Sequence, residues 1–313
     1  MDKISFSAKT KREICHGTPL SSIDRHCRIA ELAAVLLTSA EVSAKAIILE
    51  TENIWLAKRF WQLLSMDFNI RCGINILRRS HRKLIGLTVY GGAAIEKVLN
   101  AAGMAKPGET GINRSRIGPL LVNSFCCRRA FIRGAFLSCG SLTHPKSAYH
   151  TEFVTVNKNV GDEIKWLLEE FGLNPKTTVR NDRYVVYFKD SGEIADVLNI
   201  TGAHLALMEF ENSKILKEVN NEINRIANCE ASNANKTAEA AVRQTEDILL
   251  ISEKMGLGKL PPHLREAAEI KLDNPEISMK DIGLMMEPPV GKSGINHRFR
   301  KISGIAEGLR GNS

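Results

Sequence analysis

The feature that most limits how this chain can fold is an internal duplication: two stretches about one hundred residues apart repeat the same order of patterns. The first opens with an apolar helical run from Arg28 to Ala40, with small residues at Ala33 and Ala34. The second opens with Arg129 to Gly140, of similar length and character, with Gly134 and Ala135 in the small positions. A short strand follows each, over 46–50 and 151–156, and then a helix rich in apolar residues, near 54–64 and 160–171. Two strands come next, 72–77 with 84–90 and 177–180 with 184–188, where alternating side chains fit half-buried strands. Each half closes on a helix with a shared ending, Val98-Leu-Asn-Ala-Ala-Gly103 and Val197-Leu-Asn-Ile-Thr-Gly202. A repeat this long is no solenoid unit, since those have periods of roughly 20–50 residues. The halves, 20–104 and 120–206, therefore predict one duplicated α+β domain over residues 1–210.

Beyond it, residues 211–257 read as a helical linker, two helices joined by a bend in the polar Asn/Ala stretch that ends at Lys236-Thr237. Residues 258–313 read as a separate all-α module. Pro261 and Pro262 suit the first turn of its first helix, and Leu264, Ala267, Ala268, Ile270 and Leu272 give that helix an apolar face. Ser278 is a good N-cap for a short second helix, with Ile282, Met285 and Met286 turned inward, and Pro288-Pro289 stops it. Ser293 can cap a third helix whose Ile295, Phe299, Ile302, Ile305 and Ala306 face the core. That spacing predicts Asn296, His297, Arg298, Arg300 and Lys301 on the exposed side. Helix, helix, turn, helix is the order of a helix-turn-helix, which lays its second helix in the major groove. Asn pairs bidentately with adenine and Arg with guanine. Between Pro288 and Lys301 there are four basic side chains and no acid. The alternative is a three-helix packing module that docks on the rest of the chain.

Charge distribution agrees with a polyanionic partner. Residues 51–150 hold fifteen basic and four acidic side chains, whereas 151–250 hold eleven and seventeen. The basic excess includes Arg71, Arg78, Arg79, Arg82, Lys83, Arg114, Arg116, Arg128, Arg129 and Arg133. Such a field attracts nucleic acid and releases its counterions, although a solvated face would have the same composition. No apolar run is long enough to span a bilayer and no signal peptide opens the chain, so a cytoplasmic, nucleoid-associated protein without membrane contact is expected. The seven cysteines follow no disulfide rhythm. Cys126 and Cys127 are adjacent, whereas zinc ligands prefer a spacer of two to four residues. They read as buried or inert thiols, with no metal and no cofactor expected.

Several long phrases resemble one known family. They are Cys126-Cys-Arg-Arg-Ala-Phe-Ile-Arg-Gly-Ala-Phe-Leu-Ser-Cys-Gly-Ser-Leu142 with Tyr149-His150, and Asn228-Cys-Glu-Ala-Ser-Asn-Ala-Asn-Lys-Thr-Ala-Glu-Ala-Ala-Val-Arg-Gln244. The tail adds Leu260-Pro-Pro-His-Leu-Arg-Glu-Ala-Ala-Glu and Pro289-Val-Gly-Lys-Ser-Gly-Ile-Asn-His-Arg-Phe-Arg-Lys-Ile302. These are similar to the WhiA-type sporulation and cell-division regulators. The resemblance implies a LAGLIDADG homing-endonuclease-like domain followed by a helix-turn-helix similar to region four of sigma factors. It also implies a transcriptional regulator acting in cell division, chromosome segregation and, in spore formers, sporulation.

In LAGLIDADG nucleases, an acid near the end of each of two packed helices binds the divalent metal. Alignment of the small positions places Ser39 and Cys139 there, and neither is a carboxylate. Glu41 lies two residues past the first position with no counterpart in the second half, and Ala40 stands where the family more often has glycine. A DNA-binding regulator is therefore expected rather than an enzyme, the alternative being a metal-dependent DNA endonuclease. Its contacts to double-stranded DNA are assigned to Lys292, Ser293, Asn296, His297, Arg298, Arg300 and Lys301. Arg78, Arg79, Arg82 and Lys83 are expected to add contacts or to hold a partner protein, another transcription factor or RNA polymerase. His144, His150 and His204 read as structural.

Overall fold

In the computed structural model, which describes residues 4–79, 82–105 and 111–311, contacts divide the chain into two units, Met1–Glu218 and Val219–Ser313. The first unit opens with a helix absent from the sequence reading, α1 (Phe6–Gly17), capped by Ser5 and buried along Phe6, Thr10 and Ile14. The duplication follows in full. Its first half runs α2 (Arg25–Thr38), β1 (Ala40–Val42), β2 (Ala46–Thr51), α3 (Ile54–Phe68), β3 (Gly73–Arg79), β4 (Arg82–Tyr90) and α4 (Gly92–Ala101). The second repeats it as α5 (Phe125–Cys139), β5 (Gly140–Leu142), β6 (Thr151–Thr155), α6 (Lys158–Glu169), β7 (Lys176–Arg180), β8 (Arg183–Phe188) and α7 (Ser191–Thr201).

Local chemistry sets most of these boundaries. The Asn53 side chain accepts from the Trp55 and Leu56 N–H groups at the start of α3, and Asp190 does the same for Gly192 and Glu193 at α7. Asn69 ends α3 in the left-handed region at φ 55°, a conformation that asparagine tolerates. Each half forms a four-stranded antiparallel sheet, ordered β1-β2-β4-β3 and β5-β6-β8-β7. The sequence reading finds three strands per half. The fourth, β1 or β5, is three residues long and follows directly on a helix, too short to show alternation of its own.

Helices α2 and α5 form the centre of this unit and are buried on nearly every side. They run side by side in the same direction, with His26 against Cys127 at one end and Thr38 Oγ1 2.6 Å from Ser138 Oγ at the other. The small residues allow the approach: a Cβ on Gly134 would sit 2.5 Å from the Glu31 carbonyl oxygen and 3.0 Å from the Ala34 Cβ. Glu31, itself fully buried, takes Arg59 Nε at 2.6 Å on one carboxylate oxygen and Arg133 Nε at 2.9 Å on the other.

The long helix α8 (His204–Lys254) replaces the two helices and polar bend expected over 211–257. Asparagine favours turns, but no glycine or proline interrupts these 51 residues, so nothing breaks the backbone ladder. Among the described residues no helix is long and apolar enough to cross a membrane.

In the second unit, α9 (Pro262–Asp273), α10 (Met279–Met285) and α11 (Lys292–Gly311) follow the C-terminal part of α8. Their core is Leu264, Ala267, Ala268, Ile282, Met286, Ile295, Phe299, Ile302 and Ala306, and it also takes in Ile248 and Ile251 from α8, upstream of residue 258.

Candidate nucleic-acid interface

The geometry of this module is set between α9 and α11. Lys271 is buried, and its ammonium donates to the carbonyls of Pro275 at 2.6 Å and Ile277 at 3.4 Å, which closes the bend after α9. Burial lowers its pKa. Ser278 Oγ then accepts from the Asp281 N–H at 3.2 Å and lies 2.7 Å from the Asp281 carboxylate, with the acid in the first turn where the helix dipole favours it. Loss of this cap in Ser278→Ala is expected to destabilise the unit by about 1 kcal/mol in thermal melts. After α10 the Val290 N–H donates back to the Gly283 carbonyl at 2.9 Å. Gly283 is glycine for steric reasons, because a Cβ there would run into the Val290 carbonyl oxygen. Met286 is 1% exposed, whereas Met285, expected inward, is 53% exposed beside Leu284. On so short a helix, spacing did not decide which methionine the turn pulls under.

Helix α11 begins at Lys292, so Ser293 lies in its first turn rather than at the cap. Ile295, Phe299, Ile302 and Ala306 are buried, and Lys292, Ser293, Asn296, His297, Arg300 and Lys301 are exposed. Residues three and four apart are neighbours on a helix, so 293, 297 and 300 together with 292 and 296 make one continuous polar face over the first turns. Arg298 departs from the expectation of exposure. It is half-buried, and its Nη1 donates to the His263 carbonyl at 3.1 Å and lies 2.9 Å from the Met286 sulfur. Its position, one residue before Phe299, points it along α9 instead of outward. The far half of α11 is anchored by Asp247 of α8, a residue that sequence reasoning missed. Asp247 is buried, accepts from Ser303 Oγ at 2.6 Å and pairs with Arg310 at 2.7 Å.

The described basic residues of the first sheet divide between its two faces, Arg78 with Lys83 on one and Arg79 on the other. Register pairs Arg78 with Lys83 and Arg79 with Arg82. Arg78, Arg79 and Lys83 are exposed, Arg79 pairs with Glu50 at 3.2 Å, and the Arg82 side chain lies outside the described residues. Much of the basic excess of 51–150 serves internal bonds. Arg59 and Arg133 hold Glu31, Arg128 pairs with Glu170 at 2.9 Å, and Arg129 donates to the Asn199 and Ile200 carbonyls at the end of α7.

Ser39 and Cys139 stand at the C-terminal ends of α2 and α5, next to the Thr38–Ser138 contact. Burial pushes the Cys139 thiol up to about 11 and brings the nearby Lys11 ammonium down to about 8. Glu41 is exposed, and Glu152 is engaged by His150 at 3.1 Å and Arg180 at 3.1 Å. Among the described residues no group of three acids, histidines or cysteines converges at this end. His144 accepts from the Lys146 N–H at 3.1 Å and lies against Phe6, and His204 is the first residue of α8.

Comparison with known proteins matches both units. Residues 128–220 fit a family model described as the WhiA LAGLIDADG-like domain, and residues 223–306 fit one described as the WhiA C-terminal HTH domain. A protein of Lachnoclostridium phytofermentans named "Probable cell division protein WhiA" is 40% identical over 98% of this chain and 100% of its own length. One of the same name from Clostridium novyi is 41% identical over 98% and 99%. The crystal structure of full-length WhiA from Thermatoga maritima superposes with a TM-score of 0.60 at 24% identity, covering 97% of this chain and 98% of that one. That of a WhiA N-terminal LAGLIDADG domain gives 0.51 at 18% identity, covering 64% and 91%. Both support the fold.

Proposed function

Because the chain belongs to the WhiA family, we propose that it is a transcriptional regulator of cell division and chromosome segregation that binds duplex DNA through α11 and does not cut it. In a spore former, the same activity would serve sporulation. One observation carries the reading: the face formed by Lys292, Ser293, Asn296, His297, Arg300 and Lys301 is exposed and free of acids, on a helix whose opposite face is core. Asn296 and Arg300 have the donor patterns for adenine and guanine edges, and Lys292 and Lys301 suit phosphates. Arg298 acts as a positioning residue that ties α11 to α9. Arg78, Arg79, Arg82 and Lys83 on the first sheet would add contacts or receive a protein such as another transcription factor or RNA polymerase.

Binding of the purified protein to fragments recovered from its own genomic sites tests the assignment. Arg300→Ala and Asn296→Ala are each expected to cost roughly 1–3 kcal/mol and to relax preference at one base pair. Lys301→Ala should weaken all sequences alike and lower the salt slope by about 1. Arg298→Ala should instead lower the melting temperature of the second unit. If each exposed residue can be changed without any effect on affinity, the reading fails.

The absence of cleavage is supported by the donor set at the ends of α2 and α5. A hydroxyl, a protonated thiol and an ammonium take the place where hard cations need carboxylates. Supercoiled plasmid incubated with the protein and Mg²⁺ or Mn²⁺ is expected to remain intact. Nicking that scales with pure protein would overturn this part.

A further inference from the structure

The N-terminal ends of α2 and α5 bring together four side chains that sequence spacing kept apart: His26 and Cys27 on one helix, Cys126 and Cys127 on the other. Their ligand atoms all lie within 4.8 Å of one another. His26 Nδ1 is 3.1 Å from Cys127 Sγ and 3.3 Å from Cys27 Sγ. We propose that these residues form a Cys₃His zinc site that clamps the two central helices at the ends opposite Thr38 and Ser138.

The geometry suits the ion. Zinc takes four ligands tetrahedrally, with Zn–S near 2.3 Å and Zn–N near 2.0–2.1 Å, which puts ligand atoms about 3.6–3.8 Å apart. Two of the observed separations, 3.1 and 3.3 Å, are slightly shorter than that and none exceeds 4.8 Å, so small side-chain shifts would seat the metal. Adjacent residues on a helix ordinarily diverge, which is why a Cys-Cys pair reads as unpromising. These pairs occupy the second and third positions of their helices, where each Cα–Cβ bond tilts toward the N-terminus. Two adjacent side chains can then meet beyond the helix end, and the second helix supplies the other two.

The surroundings fit bound thiolates. Both helix N-termini point partial positive charge toward the site, which suits the negative charge of sulfur ligands on a metal. Ser124 Oγ lies 3.1 Å from Cys127 Sγ and 3.5 Å from Cys126 Sγ. With His26 Nδ1 aimed at the sulfurs, its Nε2 faces the Asp24 carboxylate at 3.6 Å. In many zinc proteins a carboxylate behind the ligating imidazole helps to orient the ring. Cys27 and Cys127 are buried, whereas His26 and Cys126 are exposed, so the site opens to solvent on one side for the ion to enter. Tetrahedral sulfur-rich sites hold zinc or iron–sulfur clusters. A mononuclear ion fits four ligand atoms this close, one of them nitrogen.

The test uses the full-length protein, stripped with a chelator under reducing conditions and titrated with Co²⁺. One Co²⁺ per chain is expected, with thiolate-to-metal charge transfer, intense tetrahedral d–d bands and displacement by one equivalent of Zn²⁺. Binding should release protons as the thiols ionise, and Zn²⁺ should raise the melting temperature of the stripped protein. Cys126→Ser and His26→Gln change exposed side chains and leave the helix packing intact, so both variants should fold. Each is expected to weaken Zn²⁺ binding at least 100-fold, beyond the 10–100-fold typical of losing a supporting partner. Failure of the reduced protein to develop charge-transfer absorption would overturn the proposal. So would wild-type metal uptake in both variants, which would locate the metal elsewhere, for instance at Cys229.

Discussion

Replacing Glu31 with alanine is expected to cost the N-terminal unit roughly 3–5 kcal/mol, the range for removing one partner of a buried ion pair. Glu31 is fully buried, Arg59 is 2% exposed and Arg133 9% exposed. Arg59 meets both carboxylate oxygens, at 2.6 and 3.0 Å, and Arg133 meets one at 2.9 Å. Arg59 also donates to the Thr18 and Cys15 carbonyls, which ties α3 to the end of α1. Without the carboxylate, two guanidiniums would face a new cavity at the crossing of α2 and α5. Chemical denaturation followed by near-ultraviolet circular dichroism measures the loss. A variant as stable as wild type would mean that the arginines find other partners.

The same triad gives the unit an acid limit. Burial alone would push the Glu31 carboxyl up, but Arg59 and Arg133 outweigh it and hold the group below its ordinary 4.5. A group with a depressed folded pKa stabilises fully above its unfolded value and loses that contribution as pH falls through the folded value. The glutamate therefore contributes in full at neutral pH, and its share disappears only in acid below the ordinary carboxylate range.

The second large effect is expected at Gly283. In Gly283→Ala the new methyl collides with the Val290 carbonyl oxygen, a backbone atom that cannot rotate away. Such overpacking costs roughly 1–3 kcal/mol. The collision lies in the turn that orients α11 against α10, so DNA affinity should fall at temperatures where the second unit is still folded. Gly304→Ala is the control. It is exposed on α11 with nothing within 4 Å of its new Cβ. Helix propensity alone should then stabilise it by roughly 1 kcal/mol. Wild-type affinity and melting in Gly283→Ala would show that the turn tolerates a spread, and the link between this glycine and recognition would be lost.

What could be read from the residues in order was local. The duplicated order of elements, the small residues at the crossing of α2 and α5, the Ser278 cap and the apolar stripe of α11 are all written in short-range periodicity. Short-range pattern determines secondary structure wherever one face is buried. It was weaker where burial gives no period. Strands β1 and β5 are three residues each, and α8 is exposed throughout 218–239, so neither a strand alternation nor a helical stripe marks them.

Tertiary structure alone decided which side chains meet. The segment between residues 51 and 150 reads as a basic surface, yet Arg59, Arg128, Arg129 and Arg133 are committed to partners up to 102 positions away. Arg298 lies in sequence among the exposed residues of α11 but falls on the side where α9 passes. Cys27 and Cys127 are one hundred residues apart, and only the parallel packing of α2 and α5 brings them within reach of one ion. Period sets a residue's angle around its own helix axis, whereas contacts across helices depend on direction, register and closeness of approach. Those are properties of the packed core as a whole.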